Sequence, residues 1–178
     1  SGLVKSLTRP GGNLTGIQVG GSTGKALDLH KNAVPETKRI FVPFVPGDKA
    51  AEQSLADLKK AAKKLDIILD IAIVRTSDEL KSVLSKVPKD IDALWLLNSH
   101  LLVSNVSLFV ESAINNKLSL SSGTSQYKAG VMLSYGQDPF RTGKQASRLG
   151  RAILNGTPPG EIPVETTDFF LGINLRTA

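Results

Sequence analysis

The sequence contains no cysteine and only two histidines, His30 and His100. Without cysteine, the chain forms neither a disulfide framework nor a thiolate metal site, and it offers no cysteine nucleophile. Two isolated histidines do not supply a histidine-rich metal site, so no metal and no cofactor are predicted. His30 lies in a helical stretch, where a packed or surface role is expected, whereas His100 follows a buried-looking strand.

Long apolar runs and aromatic residues are also scarce. No segment approaches the roughly 20 consecutive apolar residues of a transmembrane helix, and the first residues lack the zones of a signal peptide. The formal net charge is +6 and aromatic residues make up only 5% of the chain. The densest basic cluster, residues 59–64, lies opposite the apolar stripe of one helix and is interpreted as a solvated face. We therefore predict a globular protein that binds no nucleic acid.

Short apolar runs alternate with helical patterns along the middle of the chain, which indicates βαβ units and a parallel sheet flanked by helices. Strands are predicted at residues 40–45, 67–74, 93–97 and 118–121. Pro43 interrupts the first strand, and because proline cannot donate a hydrogen bond, this strand is expected to be an edge, bulged or shifted in register.

Helices are predicted between these strands by period and capping signals. Apolar residues recur every three or four positions in residues 50–65, and Thr76 and Glu79 form a capping box. The last helix has Asp138 as its N-cap and Pro139 at its first position. Gly143 and Gly150 lie on one face of that helix, which predicts a close approach to a neighbouring backbone.

Two motifs that carry chemistry were tested against the chain. The loop from Gly20 to Lys25 resembles a phosphate-binding P-loop, but its glycines enclose three residues instead of four, and Ala26 replaces the hydroxyl that would bind magnesium. We interpret it as a flexible interlobe or strand-to-helix loop. No Gly-x-Ser-x-Gly elbow is present, and neither histidine lies in a general-base motif. The chain is therefore predicted not to be an enzyme.

Polar residues follow the predicted strands, and ligands of open α/β sheets bind outside the carboxyl ends of the strands. Phe44 and Tyr135 would pack on a small ligand, while the polar side chains would hydrogen-bond it. The predicted ligand-binding residues are Phe44, Asp48, Asn98, Ser99, Ser122, Thr124, Tyr135 and Asp138.

Four segments together carry a family resemblance. They are SGLVKSLTRPGGNLTGI (1–17), KRIFVPFVP (38–46), SYGQDPFRTGKQASRLGRAILNGTPPGEIPVE (134–165) and GINLRTA (172–178). In this combination the chain resembles the substrate-binding proteins of ABC transporters, in the group that includes tryptophan and tyrosine binders. The resemblance implies a periplasmic-binding-protein-like fold, with a Rossmann- or flavodoxin-like lobe at residues 26–124. Residues 1–25 and 125–178 would form the hinge crossings and the rest of the other lobe.

The resemblance also implies a function. A small polar ligand, an amino acid or similar, would be captured in an interlobe cleft and delivered to a membrane permease, in the periplasm or elsewhere outside the cytoplasm, with lipid anchoring in some full-length members. On this interpretation the chain is a fragment that lacks the first part of the N-terminal lobe, and its open surface would favour self-association. The alternative is a ligand-sensing domain of a signalling or regulatory protein, since the same fold serves there too.

The chain departs from similar proteins at two predicted cleft positions. Those proteins tend to have acidic residues where this chain has Ser99 and Gly123. An acidic side chain is the expected partner of an amino-acid ammonium group, so its absence at both positions weakens the assignment of an amino-acid ligand.

Overall fold

The computed structural model describes residues 2–178, and this range contains eight strands and six α-helices. The strands are β1 (Ile17–Gln18), β2 (Arg39–Phe44), β3 (Ile68–Ile73), β4 (Ala93–Leu96), β5 (Ser119–Ser122), β6 (Leu133–Gln137), β7 (Glu165–Thr166) and β8 (Phe169–Ile173). The helices are α1 (Thr23–Ala33), α2 (Lys49–Lys64), α3 (Ser77–Leu84), α4 (His100–Ser104), α5 (Val106–Asn116) and α6 (Pro139–Leu154). The predicted α/β alternation is confirmed.

The described chain forms two compact units. The large unit comprises Gly21–Gly136 with Phe170–Ala178, and the small unit comprises residues 2–20 with Gln137–Phe169. The lobe predicted at residues 26–124 falls within the large unit, and its boundaries stay a prediction.

The large unit is built on a six-stranded sheet with the order β3-β2-β4-β5-β6-β8. The first five of these strands are paired in parallel. Asn174 N donates to Met132 O at 2.8 Å, which joins the end of β8 to the start of β6, so β8 runs in the opposite direction. In the small unit, β1 pairs with β7 in parallel. The predicted parallel sheet is therefore present, with one antiparallel strand at its margin.

Pro43 lies in an internal strand, so the expectation of an edge strand is wrong. The backbone groups of β2 point alternately to its two neighbours, and Asp92 N donates to Arg39 O at 3.0 Å on the β4 side. Pro43 has the same parity as Arg39, so its missing N–H also faces β4. The paired register with β4 ends at Phe41 opposite Leu94. Proline is tolerated here because the β2–β4 ladder has already ended.

Apolar side chains fill both faces of this sheet. Helices α1 and α2 pack together, as do α3 and α5. Each fully buried leucine or isoleucine contributes about 2 kcal/mol relative to exposure. The fully buried members include Ile40, Val42, Leu58, Leu80, Leu94, Leu96, Leu102 and Phe109.

His30 is a buried polar residue within this core, so of the packed or surface role that was expected the structure shows the packed one. Its Nδ1 lies 2.8 Å from Ser121 Oγ and its Nε2 lies 3.0 Å from Thr37 Oγ1. The ring meets Trp95 edge-on, with 6.4 Å between centroids. Burial, with a smaller effect of the Lys31 charge, lowers the pKa of His30 from 6.5 to about 4. The imidazole is therefore neutral in the folded protein at neutral pH.

The predicted helix caps are confirmed. Thr76 Oγ1 accepts from Glu79 N at 3.2 Å, and the Glu79 carboxylate accepts from Arg75 N at 2.7 Å. Asp138 accepts from Phe140 N at 2.9 Å and from the next backbone N–H at 3.1 Å. These side chains satisfy amides that the first helical turn leaves unpaired.

Close backbone approach occurs in the small unit at Gly160, and the approach predicted for Gly143 and Gly150 is wrong. Gly11 N donates to Gly160 O at 2.9 Å, and a Cβ on Gly160 would lie 2.8 Å from Gly12 N. A Cβ on Gly143 or Gly150 would meet no atom within 4 Å. The two helical glycines face open space.

We expect His30 to make the protein sensitive to mild acid. Because its folded pKa lies below its unfolded value of 6.5, its contribution is complete above pH 6.5 and is lost as the pH falls toward 4. The loss amounts to about 3 kcal/mol of unfolding free energy. His30→Gln should flatten the pH dependence of urea unfolding in this window. His100→Gln, at an exposed histidine, is the matched control, and an unchanged slope in His30→Gln would contradict the assignment.

Two glycine-to-alanine substitutions in the small unit should act in opposite directions. Gly160→Ala places a methyl group against the backbone of residues 11 and 12, and we expect a loss of roughly 1 to 3 kcal/mol. Gly143→Ala adds a good helix former in open space and should stabilise α6 by up to about 1 kcal/mol. Thermal unfolding of both variants measures the two effects, and equal effects would show that the approach at Gly160 is not tight.

Candidate functional site

Five parallel strands end at the same edge of the large unit's sheet, and four of them, β2, β4, β5 and β6, are adjacent to the predicted binding residues. Seven of the eight predicted binding residues lie in these strands or shortly after them. Parallel strands have all their carboxyl ends on one side, so these seven residues lie at one edge of the sheet. They are Phe44, Asp48, Asn98, Ser99, Ser122, Thr124 and Tyr135. We call this edge the carboxyl edge.

Asp48 is the N-cap of α2. Its carboxylate accepts from Ala50 N at 2.9 Å and from Ala51 N at 3.2 Å. Burial opposes ionisation of this carboxyl group, but the Ser99 hydroxyl and the backbone N–H groups of Ala51, Ala50 and His100 outweigh it, so the pKa of Asp48 lies below its usual value. The group is therefore a carboxylate at neutral pH, and hydrogen-bond donors of the protein stabilise its negative charge.

Ser99 links the end of β4 to this cap. Only 1% of the residue is exposed. Its Oγ lies near enough to Asp48 to favour the ionised carboxylate, yet it makes no hydrogen bond of regular geometry with any described residue. A buried hydroxyl without a well-formed partner is rare and is a candidate for contact with a bound molecule. The neighbouring Asn98 is exposed.

Ser122 and Thr124 form a hydroxyl pair at the end of β5. Ser122 Oγ donates to Leu96 O at 2.9 Å, and Ser122 and Thr124 Oγ1 lie 2.8 Å apart. A hydroxyl has one proton, and that of Ser122 is committed to Leu96, so Thr124 is the donor within the pair. The lone pairs of the half-buried Thr124 hydroxyl then remain available. This position offers a ligand an acceptor.

Two aromatic residues flank the polar group along the sheet. Phe44 is the last residue of β2 and Tyr135 lies within β6. Both are half-buried and pack against the hydrophobic core of the large unit. Each therefore has part of its ring anchored and part accessible.

Asp138, the eighth predicted residue, belongs to the small unit, where it caps α6. Two backbone amides donate to its Oδ1. Capping fully explains the presence of this aspartate.

The sequence analysis missed the hydroxyl groups of the first turn of α1. Ser22 Oγ donates to Gly123 O at 2.7 Å, and Thr23 Oγ1 lies 3.3 Å from Ser54 Oγ. These contacts place the start of α1 beside the end of β5. The sequence signal for these residues was the Gly-Gly-Ser-Thr-Gly-Lys loop. Because this loop does not match the P-loop pattern, it was interpreted only as a connecting loop.

The same contact explains why residue 123 is glycine. A Cβ at this position would lie 2.8 Å from Thr23 Oγ1 and 3.0 Å from Thr23 Cα. An acidic side chain does not fit there while α1 holds its place. Packing thus accounts for the absence of an acidic residue at position 123. This absence is therefore a weaker argument against an amino-acid ligand.

No cluster of three or more histidine, aspartate or glutamate side chains in residues 2–178 is arranged to hold a metal ion. None of the helices within this range combines the length and the apolarity that a membrane span requires.

Comparison with known proteins gives consistent results. The family model of ABC transporter substrate binding proteins matches residues 1–178. A tyrosine-binding protein of Clostridioides difficile (strain R20291) is 31% identical over 169 residues, which cover 94% of this chain and 49% of that protein. The chain thus spans about half the length of this curated relative.

Two solved structures share the fold. A conserved domain protein from Vibrio cholerae aligns with a TM-score of 0.83 and 28% identity, over 99% of this chain and 60% of that one. An ABC domain in complex with L-Trp from Streptococcus pneumonia aligns with a TM-score of 0.80 and 22% identity, over 99% of this chain and 62% of that one.

The matched family consists of substrate-binding proteins and the curated relative is a tyrosine-binding protein, so the prediction that the chain is not an enzyme is confirmed. The match over every residue decides the classification: the chain belongs to the ABC transporter substrate-binding protein family.

Proposed function

We propose that the protein to which this chain belongs captures an amino acid, with an aromatic L-amino acid as the first candidate, and delivers it to a membrane permease outside the cytoplasm. The observation that carries the proposal is the carboxyl edge of the large unit, where hydroxyl, amide and aromatic side chains gather. The relatives support the ligand class, since one is described as tyrosine-binding and a structural neighbour was solved with L-Trp.

The hydroxyl pair at the end of β5 supplies an acceptor for the ligand. Thr124 donates its proton to Ser122, so its free lone pairs suit an ammonium or hydroxyl donor. A neutral oxygen can replace the expected carboxylate in this role, though a hydrogen bond to a neutral acceptor is weaker than a charge-assisted one.

The carboxylate of Asp48 contributes in a different way. It is tied to the first turn of α2 and has a lowered pKa, so it gives the edge a fixed negative charge at neutral pH. A ligand ammonium near this edge would experience that charge without needing a direct ion pair. We therefore assign Asp48 to shaping and charging the edge, and Thr124 to contact.

The rings of Phe44 and Tyr135 are half-buried and anchored in the core. Anchored rings lose little freedom when they pack against an aromatic ligand. This property favours an aromatic amino acid over a small aliphatic one.

The proposal predicts that Thr124→Val weakens ligand binding. Valine keeps the shape but removes the oxygen, and the loss of one hydrogen bond should raise the Kd about tenfold. Isothermal titration of the full-length protein with L-tryptophan and L-tyrosine measures the change. Thr157→Val, at an exposed loop threonine, is the matched control. Equal affinity of the Thr124→Val variant and the parent would remove Thr124 from the site, and no binding of either amino acid would contradict the ligand class.

We also expect the 178-residue chain to bind more weakly than the full-length protein. The relatives are longer than this chain by a wide margin, and contacts from their additional residues would contribute to affinity. Parallel titrations of the two proteins, with thermal shift as a second readout, test this expectation. Equal affinities would place the whole site within these 178 residues.

A further inference from the structure

Strand β3 is the outermost strand on one side of the large unit's sheet. Its isoleucines are unusually exposed for a sheet, with exposed fractions of 57% at Ile68, 38% at Ile71 and 55% at Ile73. Natural edge strands are commonly protected by charged side chains, prolines or bulges. The one charged side chain of β3, Asp70, is engaged in an ion pair with Arg39 of the neighbouring strand. Strand β3 pairs with β2 over all six residues without a bulge, so the edge is long and regular.

The direction of the backbone groups of β3 follows from its pairing with β2. Ile68 N donates to Lys38 O at 2.8 Å, and Val74 N donates to Phe44 O at 2.9 Å. Since alternate residues of a strand point to opposite neighbours, the even-numbered residues bond to β2. The N–H and C=O groups of Leu69, Ile71 and Ile73 therefore point away from the sheet.

We propose that β3 pairs in antiparallel orientation with β3 of a second copy of this chain, about a twofold axis perpendicular to the sheet. Ile71 would lie opposite Ile71 of the other copy, and Leu69 opposite Ile73. All three residues present outward backbone groups, so these are hydrogen-bonded pairs. They also share one face of the sheet, so six apolar side chains form a continuous strip across the axis.

Two alternative registers of the β3–β3 pair are less favourable than the proposed one. A shift that centres the axis on Asp70 places two carboxylates opposite each other, which is destabilising. A shift that centres it on Ala72 leaves only three residues of β3 opposite each other. In the proposed register Asp70 lies opposite Ala72, and each Asp70 keeps its 2.6 Å ion pair with Arg39 of its own chain.

A second copy suits this edge because β3 is compatible with itself: apolar side chains meet apolar side chains, and the charged Asp70 meets the small Ala72 instead of another carboxylate. The proposal concerns the large unit alone and does not depend on the proposed ligand. One strand pair is a small interface, so the dimer should be weak and concentration-dependent.

The test is sedimentation equilibrium of the 178-residue chain over a range of concentrations. We expect a reversible monomer–dimer equilibrium in the parent chain. Ile71→Lys and Ile71→Glu should each be monomeric, because like charges would face each other at the axis. An equimolar mixture of the two variants should associate again, since lysine then lies opposite glutamate. Ile114→Lys, which makes the same change at an isoleucine of α5 that is 59% exposed, should dimerise like the parent.

Hydrogen exchange gives a readout that does not depend on substitutions. The amide of Ile71 should exchange more slowly at high concentration, while that of Ile68, already bonded to β2, should not change with concentration. A parent chain that stays monomeric overturns the proposal. Persistent dimers of Ile71→Lys place the contact on another surface, and a mixture that fails to associate overturns the register; either result refutes the proposed pairing.

Discussion

The parallel hydrogen-bond ladder that joins β2, β4, β5 and β6 is the constraint on which the large unit depends. Parallel strands must enter the sheet from the same side, so the chain has to return to that side between them. Helices make these returns except between β5 and β6, where the connection contains only the short 3-10 turn Tyr127–Ala129. One consequence is that four chain segments far apart in sequence leave the sheet at one edge. The position of every candidate ligand contact in the large unit follows from this geometry.

The carboxyl edge is also where polar groups can be tolerated. Backbone groups beyond the end of a strand no longer bond to the neighbouring strand and need other hydrogen-bond partners. The helix that follows begins with backbone amides that have no partner within the helix. Asp48 meets both requirements. It caps α2, and it lies beside Ser99, which follows the neighbouring strand β4. Ser122 similarly joins β5 to the carbonyl of Leu96 in β4. Structural hydrogen bonds thus decide which atoms at this edge remain available to a ligand.

Much of this arrangement could be predicted from the sequence because the signals were local. The period of apolar residues and the caps at Thr76 and Asp138 marked the helices within a few residues, and strand ends pointed to the carboxyl edge. The expectation that Pro43 marks an edge strand was wrong. The missing N–H of a proline is harmless where the partner strand has already ended, and the length of the partner strand is a tertiary property. The contacts of the Ser22 and Thr23 hydroxyls and the tight contact at Gly123 could not be predicted for the same reason. The loop that carries Ser22 and Thr23 comes about 100 residues before β5, and no local pattern announces that they meet.

The contact between Gly123 and Thr23 also links two kinds of sequence variation. Both the hydroxyl and the Cα of Thr23 stand against the place where a side chain at 123 would begin, so trimming the threonine does not by itself make room. A carboxylate at position 123 therefore requires the start of α1 to lie farther from the end of β5 than it does here. The space available to a side chain at position 123 therefore depends on the placement of a loop about 100 residues upstream.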